Sequence, residues 1–373
     1  MENKQRILHV LGGLNRGGAE TLVMNLYRNI DRTKVQFDFV VHTDEICDYN
    51  NEILSLGGKI YSIPRYKGSN HRQYKKAWNK FFIEHPEYKI IHGHVRSTAS
   101  IYLRIAKKFG LLTIAHSHST SSGSGLSAII KNIYQYQIRY SADYLFACSK
   151  VAGEWLYGKK ACKQANFFIL NNAIKTQNFL FNKDKRIKKR NELNVTNKYV
   201  VGHVGRFNSP KNHDFLIDIF KLVHEKNNNS VLMLVGDGSL KQAIEKKVEK
   251  LGLVNSVIFT GVRSDIQDLL QAMDVFVFPS LYEGLPVTVI EAQASGLPSL
   301  ISERITNEVK ITDLVKYLPL EKGEGLWAKE VLKHSVDNIN RDGYHKDIVN
   351  AGYDIESVSN WYQEFIFKII KNI

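Results

Sequence analysis

Two glutamates, Glu283 and Glu291, interrupt the otherwise apolar or small stretch SLYEGLPVTVIEAQASG, residues 280–296. Pro286 suits the first position of a helix running to about Ser295, with Gly296 as its cap. Glu283 then falls in the turn before that helix and Glu291 on its second turn. A carboxylate accepts two hydrogen bonds, so Glu291 suits a vicinal diol such as the 2′ and 3′ hydroxyls of a ribose. Glu283, nearer the turn, is placed to reach a sugar hydroxyl. The amides of Gly284, Leu285 and Val287 would point at the same extended ligand, while Pro286 has no N–H to give. The plainer alternatives are a helix-dipole partner for Glu283 and a solvated helix surface for Glu291.

A second stretch, VGHVGRFNSPKNHDFLIDIF at 201–220, carries cations instead. A strand ends at Gly205, Arg206 follows, and Ser209-Pro210 reads as a cap and first helical residue, with Lys211 in the first turn. A lysine there opposes the helix dipole unless an anion shares the site. A guanidinium fork and an ammonium beside a helix N-terminus suit a pyrophosphate. The glycine-rich LGGLNRGGAET, 11–21, has Gly12, Gly13, Gly17 and Gly18 between a strand and a helix, as an anion-binding turn would. It is neither the GxGxxG fingerprint nor a Walker A loop, and a plain βα turn explains it equally well. His116 and His118 in TIAHSHST are expected to point to opposite sides and so not to chelate one metal together; His92 and His94 repeat the pattern. No Asp-x-Asp pair and no HExxH motif occurs, so no divalent metal site is expected.

These residues need elements to carry them. β-rich runs alternate with helical patterns throughout, as in sheets built from βαβ units. Strands are expected at 6–12, 35–41, 59–63, 89–93, 111–116 and 144–148, and again at 199–205, 230–236, 256–261, 275–280 and 297–302. Between the two series lies NKDKRIKKRNELNVTNK, polar and rich in lysine and arginine. The expected division is a first domain over 1–180, a basic linker at 181–198, a second domain over 199–355, and a closing amphipathic helix at 356–373 that packs back on the first domain. A chain of 373 residues suits two such domains.

Charge is unevenly spread. Residues 1–190 hold 31 Lys and Arg against 13 Asp and Glu, and the remainder 20 against 24. The first half is therefore expected to face an anionic partner. RYKGSNHRQYKKAWNKFF, 65–82, interleaves Arg72, Lys75 and Lys76 with Trp78, Phe81 and Phe82, either as an interfacial helix on anionic lipid or as a surface helix whose aromatics enter the core. No nucleic-acid module is recognisable. Cys47, Cys148 and Cys162 are scattered and imply neither disulfides nor zinc. With no apolar signal segment or membrane-spanning run, a cytoplasmic protein is expected, with possible contact at the inner face of the membrane.

Taken together, these stretches resemble the retaining glycosyltransferases of family 4. The resemblance covers nearly the whole chain and rests on the glycine-rich first loop, ACSK (147–150), LNNAI (170–174), GRF…PK (205–211), VGDGSLKQAIE (235–245), AMDVFVFPS (272–280) and the spacing of Glu283 and Glu291. It implies an α/β protein of GT-B fold, two Rossmann-like doubly wound domains facing a central cleft. It also assigns roles. Glu291 would bind the ribose of a nucleoside diphosphate sugar and Glu283 the donor sugar. Arg206 and Lys211 would hold the diphosphate, with Gly13, Gly17 and Gly18 closing over it. Val262 and Arg263 would flank the base. His116 would face the transferred sugar, with His118 as the competing assignment on the acceptor side. Lys175 stands where the family usually has an acid, and ISERITNEVKITDLVKYLPL replaces a glycine-rich loop, as in capsule and exopolysaccharide enzymes.

The implied reaction moves a hexose or N-acetylhexosamine, from a UDP-sugar by preference, to a hydroxyl of a lipid-linked saccharide. It needs no metal or other cofactor. A sugar-nucleotide epimerase or a non-catalytic scaffold subunit are the rival readings. An epimerase would alter the donor without any acceptor.

Overall fold

Runs of branched and aromatic residues become two parallel sheets in the computed structural model, which describes residues 4–118, 132, 135–334 and 340–371. The chain divides into two units, residues 1–173 with 355–373, and residues 174–354. In the first unit the strands are β1 (Gln5–Leu11), β2 (Val35–Val41), β3 (Ile60–Ser62), β4 (Ile90–Gly93), β5 (Leu112–Ser117), β6 (Tyr144–Ala147) and β7 (Phe167–Ile169). They pair in the order β3-β2-β1-β4-β5-β6-β7. In the second unit they are β8 (Tyr199–Val204), β9 (Ser230–Val235), β10 (Val257–Gly261), β11 (Val275–Phe278), β12 (Ser299–Ser302) and β13 (Val315–Leu318), in the order β10-β9-β8-β11-β12-β13. Each sheet thus reverses its winding once, between β1 and β4 and between β8 and β11. The strand C-terminal ends at such a reversal are where doubly wound folds bind ligands.

Strands covered on both faces read as nearly continuous apolar runs, and β2, β8, β9 and β11 are buried at every position. The expected strands agree with these to within two residues at either end. β7 and β13, at the far edges of the two sheets, have no counterpart among the expected strands.

The segment expected as a basic linker is not one. Lys183–Glu192 is a helix within the second unit, capped by Asn182, whose side chain accepts from the Lys185 amide. Three of its cations turn inward, while Lys183, Lys185 and Lys188 stay exposed. Arg186 donates to the carbonyls of Gln271 and Met273 at 2.7 and 2.8 Å and pairs with Asp274, while Arg190 reaches Ala272 O at 2.7 Å and the same carboxylate. Lys189 pairs with Asp265 at 3.0 Å. Polarity alone suggested solvation, whereas these charges are consumed by carbonyls and acids at the end of the preceding strand's helix. The division between units also falls at 173/174 rather than 180, since Ile174 and Phe179 join the apolar core of the second unit.

Trp78 is likewise corrected. In the helix His71–Glu84, Tyr74, Trp78, Phe81 and Phe82 are buried within the first unit, and Trp78 stacks on Phe82 and Tyr102. These four aromatics of the helix are therefore not presented to a lipid surface. Arg72, Lys75 and Lys76 stay exposed on the opposite side of this helix. The last helix, Ile355–Ile370, buries Tyr362, Phe365 and Ile366 in the core of the first unit, against Phe37 and Phe146.

Candidate functional site

In the second unit the loops after β8, β9 and β11 meet at the C-terminal edge of the sheet. The loop after β9 lies directly on the loop after β8: Phe207 N donates to Asp237 O and Leu240 N to Phe207 O, both at 3.0 Å. Only glycine permits this approach. A Cβ on Gly236 (φ +141°) would stand 2.1 Å from Gly205 O, and one on Gly238 (φ +157°) 2.5 Å from Phe207 O. Gly205 in turn leaves room for the Lys211 side chain, whose Cδ would lie 3.1 Å from a Cβ there.

Lys211 is not in the first turn of a helix, as expected. Ser209–Lys211 forms a single 3-10 turn, Asn212 adopts the left-handed conformation at φ 55°, and the helix begins at His213. Asparagine is among the few residues that visit that conformation readily, and here its side chain is held by donating to Pro279 O at 3.1 Å across to the loop after β11. A second tie runs from Leu281 N to Pro210 O at 2.8 Å. These two bonds hold the Lys211 turn against the loop that carries Glu283.

The consequence is a contact that residue spacing did not reveal. Lys211 Nζ pairs with Glu283 Oε1 at 2.8 Å, both side chains about four-fifths buried, and the ammonium lies 4.4 Å above the Phe278 ring. Arg206 is exposed, and no described residue forms an ion pair with it. The helix after Glu283 runs Val287–Ala294, with Pro286 just outside it in extended conformation and Gly296 beyond it at φ +63°. The amides of Gly284, Leu285 and Val287 donate to no described carbonyl or side chain. Glu291 projects from the second turn, its carboxylate unpaired among the described residues, and burial pushes its pKa up to about 8. Ser280 Oγ, Thr288 Oγ1 and Asn208 Oδ1 are also buried without a protein partner among the described residues. Sequence reasoning missed these three. Ser280, the first small polar residue beyond an all-apolar strand, was the one visible signal.

Val262 is exposed, and Arg263 is engaged rather than free, gripping Asp265 through two bonds of 2.8 and 2.7 Å. Any stacking by Arg263 on a base would have to keep or break that fork.

The first unit holds the other expected residues. None of Gly12, Gly13, Gly17 and Gly18 has positive φ, and a Cβ on Gly12 or Gly18 would meet nothing within 4 Å. Their backbone conformation therefore does not demand glycine. The helix Gly18–Asn29 has no side-chain cap, and the Gly17 and Gly18 amides have no acceptor among the described residues. Glu20 folds over Gly17, and burial raises its pKa.

His116 and His118 do not point apart. Residues i and i+2 of a strand face the same side, and the two rings stack with centroids 4.0 Å apart. His9, at the centre of β1, lies opposite His92 on β4, and with His94 these five rings form one buried cluster. His9 Nδ1 meets His94 Nε2 at 3.0 Å, His94 Nδ1 meets His118 Nε2 at 2.8 Å, and His92 Nδ1 meets the Tyr362 hydroxyl at 2.8 Å. Burial, reinforced by neighbouring rings, holds His116 neutral, and burial alone takes His9 down to about 3.

Comparison with known proteins decides the family. Residues 16–178 match the model described as Glycosyltransferase Family 4, and residues 184–324 that of Glycosyl transferases group 1. A putative glycosyltransferase of Bacillus subtilis, EpsF, is 34% identical over 361 residues, 95% of this chain and 94% of that protein. The chain is a family 4 glycosyltransferase. A second relative of this glycosyltransferase, the capsular polysaccharide biosynthesis glycosyltransferase CapH of Staphylococcus aureus, is 23% identical over 347 residues, 88% of this chain and 90% of CapH. The crystal structure of Anabaena Alr3699/HepE with UDP and glucose superposes with a TM-score of 0.76 at 17% identity, covering 98% of this chain and all of that one. The GT-B class read from the sequence is therefore the fold of this glycosyltransferase.

Proposed function

We propose that this glycosyltransferase moves a hexose or N-acetylhexosamine, with retention, from a UDP-sugar to a hydroxyl of a lipid-linked saccharide during capsule or exopolysaccharide assembly. The observation that carries the reading is the Lys211–Glu283 pair at 2.8 Å, beside three undonated amides and the unpaired carboxylate of Glu291. A largely buried ammonium already neutralised by a carboxylate gains a second acceptor when a diphosphate arrives. Glu283 then shares its oxygens between Lys211 and a sugar hydroxyl. Glu291 lacks any protein donor, and two ribose hydroxyls supply the missing ones. The solved relative in complex with UDP and glucose supports the choice of base.

In this reading the bond from the anomeric carbon to the diphosphate breaks as the acceptor oxygen bonds to the same face of that carbon. The acceptor proton passes to an oxygen of the departing diphosphate. Arg206, Lys211 and the amides of Gly284, Leu285 and Val287 stabilise the charge that develops there, the role a divalent ion has in other transferases. No metal is required on the diphosphate. His116, held neutral by burial, faces the sugar as a hydrogen-bonding group rather than as a cation, and His118 lies on the acceptor side. Gly13, Gly17 and Gly18 contribute free backbone to the phosphates. Arg72, Lys75 and Lys76 meet the anionic membrane surface where a lipid-linked acceptor resides.

Calorimetric titration with UDP, GDP and UDP-sugars, with and without magnesium, tests this reading. UDP binding that is indifferent to magnesium, and weakened about tenfold or more by Glu291→Gln, is the expected result. No binding of any nucleotide by the folded protein would sink it.

A further inference from the structure

The histidine cluster of the first unit holds more nitrogen than its own hydrogen bonds use. His116 Nδ1 and Nε2, His118 Nδ1, His92 Nε2 and His9 Nε2 are all buried without a partner among the described residues. An unpaired buried polar atom is costly, so five in one cluster point to a ligand rather than to tolerated loss. Acids are not the explanation, because the groups that shift these rings are burial, other histidines and the Arg96 guanidinium. What neutral imidazoles share is the ability to donate a lone pair.

We propose that His94, His116 and His118 form a binding site for a divalent transition-metal ion, zinc or one of similar ligand preference. Their ligating nitrogens lie within 4.8 Å of one another. Two nitrogens bound to one tetrahedral ion at about 2.0–2.1 Å stand roughly 3.3 Å apart, so rotations of the rings suffice to close the set. His94 meets His118 through Nδ1 and His9 through Nε2. Donation from Nε2–H to His9 fixes the tautomer in which Nδ1 is free for the ion, the usual supporting contact of a ligating histidine. His118, the most exposed of the three, gives the ion a way in.

Three neutral ligands leave the ion's charge uncompensated and a fourth position open. Arg96, close enough to depress His118, adds to the positive potential. The fourth ligand is therefore an oxygen anion or a polarised hydroxyl, hydroxide when nothing else is present. His9, His92 and His94 make a second set of three nitrogens within 4.8 Å, wholly buried and with no exposed member. That set has no route for an ion to enter, and its His92 is already oriented by Tyr362.

The test uses the full chain stripped with a chelator and titrated with zinc alone, and separately with cobalt to read visible absorption. One equivalent of zinc, with the intense cobalt bands of a four-coordinate site, is expected. His116→Ala and His118→Ala should each abolish binding, whereas His9→Ala, which removes only a supporting partner, should weaken it about 10–100-fold. His118→Asn, at the most exposed ligand, gives the same reading if His116→Ala does not fold, with circular dichroism as the check. Failure of the wild-type chain to bind either ion overturns the site. So does binding that survives His118→Asn but vanishes in His9→Ala, which would move the ion to the buried set. The site shares His116 and His118 with the proposed sugar contacts, but neither readout involves a nucleotide, so failure to bind metal and failure to bind a nucleotide are distinguishable.

Discussion

Burial alone lifts the Glu291 carboxyl from its ordinary 4.5 to about 8, which ties the residue proposed to hold the ribose to the pH dependence of stability. The folded chain holds a proton there that the unfolded chain releases above about pH 4.5. The associated stabilisation is complete below that pH and is lost as pH rises through about 8. Buried histidines act in the opposite sense: their folded pKa values are depressed, so they destabilise the fold increasingly as pH drops below the ordinary histidine value. The comparison of wild type with Glu291→Gln isolates the glutamate. Melting temperatures without nucleotide should show the variant gaining on wild type between pH 5 and pH 8, with a slope of at most about 1.4 kcal/mol per pH unit. Parallel pH profiles for the two proteins would mean the carboxylate is already solvated or paired.

The elements around the site are set by backbone contacts as much as by side chains. The loop after β9 can lie on the loop after β8 only while Gly236 and Gly238 lack a Cβ. Gly236→Ala places a methyl 2.1 Å from Gly205 O at a φ of +141°, so the loops must part. The expected outcome is a loss of about 2–4 kcal/mol in stability and of nucleotide binding together. Gly12→Ala, at a position where a Cβ meets nothing and φ is ordinary, should leave the melting temperature within a degree or two. Denaturant unfolding and calorimetry on the pair would read both. Equal effects of the two would refute the loop-packing account. The same scale explains the failed linker: Asn182 caps its own helix, while Arg186 and Arg190 reach carbonyls and Asp274, partners some 80 to 90 residues away that local composition does not show.

Across the whole molecule, positive charge gathers in the first half of the chain, and no described helix is long and apolar enough to cross a membrane. With Trp78 in the core, the part of the helix His71–Glu84 offered to a membrane in the proposal is its exposed cations. Co-sedimentation with vesicles containing phosphatidylserine should therefore be measurable at low ionic strength and fade as the screening length falls. Replacing Arg72, Lys75 and Lys76 by glutamate should weaken it by about 1 kcal/mol or more per charge. Wild-type protein that ignores anionic vesicles at low salt would remove the lipid surface from the proposal.

Periodicity and turn residues determined the two parallel α/β halves, because βαβ units announce themselves through apolar runs separated by amphipathic helices. The same chain of residue types placed Glu283 on a turn and Glu291 on the following helix, where they are found. Spacing could not show that Lys211 meets Glu283, since a left-handed Asn212 and two loop-to-loop hydrogen bonds bring them together. Nor could it show that histidines from three strands converge: His9, His92 and His116 are neighbours only because β1, β4 and β5 pair in that order. Local sequence decides which element a residue joins, while sheet order and loop packing decide which distant residues it touches.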